Sequence, residues 1–207
     1  MSLPDKSFGD LLSAFASPDP TPGGGSASAA ASAIGASLLL MVASMPKTRS
    51  GSEDERAALA AVAQTLNRLR RELTEAVDAD ATAYDAVLAS YRRPTASAAE
   101  QADRRAAIQR AFRGATAVPL RVIRLATESL KQAEAIAAHG HRAAATDIGV
   151  AVKLLGAGLS GARLNVDVNL EQLTDRGFTA GVKAEVDRLM REAEQSIEKA
   201  ESLLGRR

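Results

Sequence analysis

The sequence predicts an all-α protein, a single-domain bundle of about six helices that include long amphipathic ones and that pairs into a dimer. Three observations predict this. Apolar residues recur by threes and fours along most of the chain, no alternating run between turn signals is long enough for a strand, and one helical stretch is longer than a compact domain of 207 residues needs. With 46% hydrophobic and 25% charged residues the chain can bury one sizeable core, so residues 1–207 are assigned to one domain.

The first informative segment is the loop SPDPTPGGGS at residues 17–26. Alternating prolines hold the approach extended, and the glycines expose bare backbone N–H groups at the start of a helix, where the dipole favours an anion. Pro22, Gly23, Gly24, Gly25 and Ser26 are therefore candidate ligand-binding positions, with Ser26 able to cap the helix or to bond a ligand. The alternative is a turn that admits a small-residue helix to the core. No GK[ST] follows and no strand precedes, so neither a Walker loop nor a dinucleotide fingerprint is present. From Ala27 to Met45 there is no charge, and about half of this run is Ala, Ser and Gly. It is long enough to span a bilayer, but only LLLMV is strongly apolar. A buried central helix, with Ser28, Ser32 and Gly35 letting neighbours approach its axis, is expected in place of a membrane span.

Leu59, Val62, Leu66, Leu69, Leu73 and Val77 form one stripe opposite the charged NRLRRELTE and predict a helix from about Glu53 to Tyr91. At about 1.5 Å per residue it is roughly 55 to 60 Å long, which points to a partner subunit. Pro94 marks a break at RRPTAS, after which a helical pattern runs from Ala98 to about His139; Pro119 is expected to kink it or to start a new helix. HGHRAAATD reads as a loop, Thr146 as the N-cap of DIGVAVKLLGAGLSGARLNVDVNLEQL, and Gly177–Phe178 as the separator before a last helix ending near Leu204.

Composition narrows the function. Lys+Arg 26 against Asp+Glu 25 gives a net charge of +1, so no global field recruits nucleic acid or an anionic membrane, and 3% aromatic residues are too few for base-stacking platforms. Zero cysteines remove disulfides, thiolate nucleophiles and Cys-based metal sites. His139 and His141, two apart in a loop, are a poor metal pair, and no metal is expected. MSLPDKSFGDLL has no basic region followed by a cleavage site, so a cytoplasmic protein is expected.

Polar residues at apolar positions carry the functional signal. The stripe from Leu59 continues to Asp80, Tyr84, Val87 and Tyr91, which puts a carboxylate on the buried seam. Asp80 must be paired, hydrogen-bonded or raised in pKa; the last is what a general acid or base near neutral pH requires. Asp78 lies one position off the seam, where a solvated face is the plainer reading. Asp147, Ala151, Leu154, Gly158, Ala162, Asn165 and Asn169 share a second stripe, and Asn165 and Asn169 can present two amides one turn apart, to a ligand or to a neighbouring helix. Asp147 lies about 27 Å from Asn165 along a straight helix, so the two cannot serve one small site in one chain unless the helix breaks.

On ASPDPTPGGGSASA, DADATAYDAVLASYRRP, AIQRAFRGATAVPL and TDIGVAVKLLGAGLSGARLNVDVNL the chain resembles, over almost its whole length, the formiminotetrahydrofolate cyclodeaminase and methenyltetrahydrofolate cyclohydrolase family. The resemblance implies an all-α homodimer acting on a reduced folate that carries a one-carbon unit, without metal or other cofactor. It implies hydrolase or lyase chemistry. The family's loop matches Pro22, Gly23, Gly24, Gly25 and Ser26; its acidic motif matches Asp78, Asp80, Tyr84 and Tyr91; its later motif matches Asp147, Asn165 and Asn169. In place of a lysine-rich GKKKY-like segment stands MPKTRSG, retaining Lys47 with Arg49 nearby, and the usual GN before an SDAG-like motif is HGH followed by TDIG. The roles implied are Asp80 as acid/base, Asp78 or Asp147 stabilising positive charge, and the glycine loop or Lys47 receiving folate carboxylates. With no formiminotransferase domain attached, the expectation leans to the stand-alone cyclohydrolase. The competing expectation is a non-catalytic helical dimer that keeps the scaffold, with or without affinity for a folate-like ligand.

Overall fold

The computed structural model describes residues 2–205, and among them it contains six α-helices and no strand. They are α1 (Phe8–Phe15), α2 (Gly24–Ala43), α3 (Glu53–Tyr91), α4 (Ala98–His139), α5 (Ala145–Glu171) and α6 (Arg176–Gly205), with short 3₁₀ turns at Leu3–Asp5 and Arg142–Ala144. The all-α expectation is met.

α2 is the axis of the bundle because it carries no charge and packs on α3, α4 and α5 at once. It is long and apolar enough to suit a membrane span by length and composition, yet about half of it is buried inside the protein. The close neighbour is α5, which runs antiparallel to it. A Cβ placed on Gly158 would lie 2.1 Å from Ser32 Oγ and 2.6 Å from the Ser28 carbonyl oxygen, and one on Gly35 would lie 2.8 Å from the carbonyl oxygen of Ala151. The two backbones touch. We expect Gly158→Ala to force α2 and α5 apart at a cost of about 1–3 kcal/mol, read as a lowered Tm with the helical circular dichroism retained.

α3 and α4 form a long antiparallel hairpin. Ser52 Oγ accepts from Glu55 N–H at 3.2 Å at the start of α3, and Ser97 with Glu100 makes a reciprocal capping box at the start of α4. The apolar stripe Leu59–Val77 is buried as its spacing requires. Pro119 neither ends α4 nor starts another helix. Proline cannot donate to the carbonyl four residues back, which is that of Ala115; Asn169 Nδ2 of α5 donates to that oxygen at 3.0 Å, so the orphaned acceptor is satisfied from outside. The sixth helix is therefore not a product of Pro119 but the short α1, which sequence reasoning passed over.

Other boundaries also differ. Gly23 is the N-cap of α2, and Ser26 sits inside the first turn. α5 begins at Ala145 with no side-chain cap, so Thr146 is a first-turn residue and not the cap. The last loop is closed by Asp175, whose carboxylate accepts from Phe178 N–H at 2.9 Å; α6 starts at Arg176 and Gly177–Phe178 lie within it. α6 lies mainly on α4, with Arg124–Glu185 and Lys131–Glu192 pairs fixing the register and contributing little stability at the surface.

Candidate active site at the start of α2

The first turn of α2 meets the middle of α3, and the contact is made by a glycine. A Cβ on Gly25 would stand 2.1 Å from Asp80 Oδ1, 2.5 Å from Cγ and 2.6 Å from Oδ2, so the carboxylate lies directly on the Gly25 backbone. No other residue leaves room. Ser26 N–H donates to Asp80 Oδ2 at 2.8 Å, a bond between a helix N-terminus and a carboxylate that the dipole strengthens. Ser26 Oγ lies 2.8 Å from the Val77 carbonyl oxygen and 3.2 Å from the same Oδ2. A hydroxyl has one proton, and the shorter bond takes it. Ser26 Oγ is then free to accept a hydrogen bond from the Oδ2 hydroxyl when Asp80 is neutral. Both protonation states of the acid find partners.

Asp80 is half-buried, and burial pushes its carboxyl above the ordinary aspartate value, against the two Ser26 hydrogen bonds that pull it down. Oδ1 accepts no hydrogen bond from the described residues and is the open lone-pair face of the acid. On the other flank of α2, Asn165 Nδ2 bonds the Gly161 carbonyl at 2.9 Å, and the amide stands 3.7 Å from where a Gly24 Cβ would be. Tyr84, one turn beyond Asp80 on α3, is 42% exposed. Asp80, Gly24, Gly25, Ser26 and Asn165 thus meet at the start of α2, with Pro22 and Gly23 leading into it and Tyr84 one turn further along α3. A groove of about 530 Å³ between α3 and α4, lined by Ala79, Ala83, Arg110 and Gly114, runs along the adjoining flank of α3.

The remaining sequence candidates are otherwise engaged or lie away from Asp80. Asp78 Oδ1 accepts from Leu3 N–H at 2.7 Å, so it ties the N-terminal segment to α3 in place of the solvated role its position suggested. Nothing in the sequence marks Leu3 as its partner. Asn169 is engaged with Ala115, as described above, and not paired with Asn165 around a ligand. Tyr91 meets Phe112 edge-on with ring centroids 6.3 Å apart and lies beneath Arg104, so it belongs to the α3–α4 hairpin; eleven residues along the helix place it about 16 Å from Asp80. Lys47 follows the far end of α2, about 30 Å from the glycine loop, and Asp147 is in the first turn of α5 at that same end. There Lys47, Arg49, His141 and Arg142 line a cleft of about 350 Å³. The unbroken α5 keeps Asp147 away from Asn165, so neither Lys47 nor Asp147 reaches Asp80 within one chain. Among the described residues no three His, Asp or Glu side chains converge as metal ligands.

Comparison with known proteins places this arrangement in a family. The family model described as Formiminotransferase-cyclodeaminase matches residues 7–188, from the start of α1 to within α6. A methenyltetrahydrofolate cyclohydrolase from Methylorubrum extorquens is 40% identical over 182 residues, covering 88% of each chain. The Formimidoyltransferase-cyclodeaminase of Sus scrofa is 33% identical over 192 residues, covering 93% of this chain but only 36% of its own length, so this chain spans about a third of that relative. Among solved structures, a formiminotetrahydrofolate cyclodeaminase from Thermotoga maritima superimposes with a TM-score of 0.87 over 97% of this chain and 96% of that one; at 24% identity the likeness is one of fold. A family match over nearly the whole bundle, with the glycine–carboxylate contact inside it, settles the assignment: the chain belongs to the formiminotransferase-cyclodeaminase family.

Proposed function

We propose that this chain is a folate one-carbon enzyme that opens the cationic ring of methenyltetrahydrofolate by adding water, with Asp80 as its acid/base. The observation that carries the residue assignment is the carboxylate seated on Gly25, half-buried, disfavoured as an anion, and with Oδ1 unengaged by the described residues. The family supports the substrate class, and the relative named as a cyclohydrolase, of nearly the same length, supports water addition over ammonia release.

The steps follow from the charge of the substrate. Water adds to the methenyl carbon while ionised Asp80 takes one of its protons, giving a neutral carbinolamine. Asp80 then returns that proton to the departing ring nitrogen as the carbon–nitrogen bond opens, and the hydroxyl proton goes to solvent, leaving a formyl group on the other nitrogen. A carboxylate near the cationic carbon also stabilises it. The substrate is its own electrophile, so the reading calls for no metal and no further cofactor. Asn165, beside Gly24, and the first N–H groups of α2 orient the ligand in this reading. The protein is read as acting in the cytoplasm, consistent with its lack of cysteine, and as a homodimer. Support for the dimer comes from Ile34 and Met41 on α2 and from Val150, Leu164 and Val168 on α5, large apolar side chains left exposed together.

The test is the ultraviolet band of methenyltetrahydrofolate. Its decay should accelerate in proportion to added protein, beyond the spontaneous rate, and should not do so with Asp80→Asn. Binding without accelerated decay, with formiminotetrahydrofolate equally inert, would instead support a scaffold that has lost its chemistry.

A further inference from the structure

Two apolar surfaces are left uncovered by the described residues. The first is α1. Phe8, Leu11, Leu12 and Phe15 recur at i, i+3, i+4 and i+7, one continuous stripe, yet α1 buries none of its residues and makes little contact with the other helices. Phe8 is 70% exposed and Leu12 52%. An eight-residue helix is marginal in water, below the roughly 12–15 residues an isolated helix needs, and holds only by packing its apolar face. The Ser7 cap, with Asp10 N–H at 3.1 Å, is too small a contribution to replace that.

The second surface is the outer face of α2 and α5. Ile34 and Met41 are seven residues apart, and so are Val150, Ala157 and Leu164, so each helix presents a straight ridge along its length. α2 bears no charge at all, and the cations in the body of α5 turn the other way, Lys153 to Glu201 and Arg163 to Asp187, both on α6. Two adjacent helices, each about 30 Å long and about 10 Å wide, together offer about 600 Å², to which α1 adds roughly 100 Å²; a standard interface takes about 800 Å² from each partner. The area suits a second copy of this chain. A lipid surface fits less well, because the only charge on α1 is Asp10, whereas helices that lie in membranes carry Lys and Arg on the polar face.

We propose that α1 is an arm that packs its Phe8–Phe15 stripe onto the uncovered α2/α5 face of a second copy, so that dimer formation holds the Pro–Gly loop of the candidate site in position. This inference rests on the homodimer reading above. Its functional consequence comes from connectivity. α1 is tied on one side to α3 through Leu3 N–H and Asp78, next to Asp80, and on the other side only eight residues separate it from Gly24. Whatever anchors α1 therefore fixes both approaches to Asp80.

The chain has no cysteine, so single cysteines report contacts cleanly. A Phe8→Cys protein is mixed with an Ile34→Cys, Met41→Cys, Val150→Cys or Leu164→Cys protein and oxidised, with Gln195→Cys on the outer face of α6 as control. A disulfide-linked pair with one or more of the face variants, and none with the control, is expected. A Phe8→Ser/Leu12→Ser variant should keep its circular dichroism, because neither side chain is buried, while its dimer dissociation constant in sedimentation rises roughly a hundredfold or more. A stable dimer in which Phe8→Cys links no better to the face than to the control overturns the arm and leaves the homodimer. A monomer at every concentration, or a dimer that forms only with detergent or lipid, overturns both.

Discussion

Asp80→Asn should lower turnover of the folate substrate by about three orders of magnitude, within the roughly 10²–10⁴ range that general acid–base groups supply, while leaving the protein at least as stable as before at neutral pH. The two halves of that expectation come from one fact. Burial raises the folded pKa of Asp80 above its ordinary value of 3.8, so the folded protein holds that proton more tightly than the unfolded chain does. A group of this kind contributes its stability fully below the unfolded pKa, and the contribution is lost as pH rises through the folded pKa. At neutral pH the ionised acid is a liability that asparagine does not have. Asparagine keeps the shape and can still accept from Ser26 N–H. Tm measured against pH should therefore show the wild type falling relative to Asp80→Asn as pH rises from about 4, and the activity profile should have its acid limb above the range of a free aspartate. Equal activity in the variant would remove Asp80 from the chemistry. A lower Tm at neutral pH together with unchanged activity would make it a structural carboxylate.

Much of this was legible in the sequence because helical bundles write their contacts as a period. The stripe from Leu59 to Val77 gave α3 its length and buried face, and running it on by threes and fours arrived at Asp80 as a charge out of place. The rest depended on partners distant in the chain. Pro119 reads as a break because its local effect is to orphan the Ala115 carbonyl, and only the approach of Asn169, fifty-four residues away, removes that penalty. For the same reason Asn169 reads as a ligand amide when one of its two N–H donors already holds the Ala115 carbonyl. Asp78 reads as solvated because the N–H of Leu3 that it holds has no side-chain signature. α1 was overlooked because eight residues give a periodicity too short to stand out. That α2 and α5 are helices was legible in sequence, but their caps were not, and which of their ends lie together follows from the antiparallel packing of Gly35 and Gly158, which sends Lys47 and Asp147 to the side away from Asp80.

Gly25→Ala is expected to lose most of the activity and some of the stability at once, through a single methyl group. That methyl would overlap all three terminal atoms of Asp80, the nearest at 2.1 Å, and neither neighbour can yield cheaply. If the carboxylate swings away, Ser26 N–H loses its acceptor and the acid moves by more than an ångström, a displacement that costs on the order of a hundredfold in rate. If α2 moves instead, its packing on α3 opens, and overpacking of this kind costs about 1–3 kcal/mol. Gly24→Ala is the matched control, because its methyl would meet only Asn165 Nδ2 at 3.7 Å, an ordinary contact, and a small change in Tm is expected. The clash has one further signature. Adding Asp80→Ala to Gly25→Ala removes the atoms the methyl strikes, so the double variant should recover stability relative to Gly25→Ala while remaining inactive, a non-additivity that a double-mutant cycle in Tm and turnover reads directly. Additive losses in stability would mean that the two residues do not touch, and the site as described would have to be abandoned.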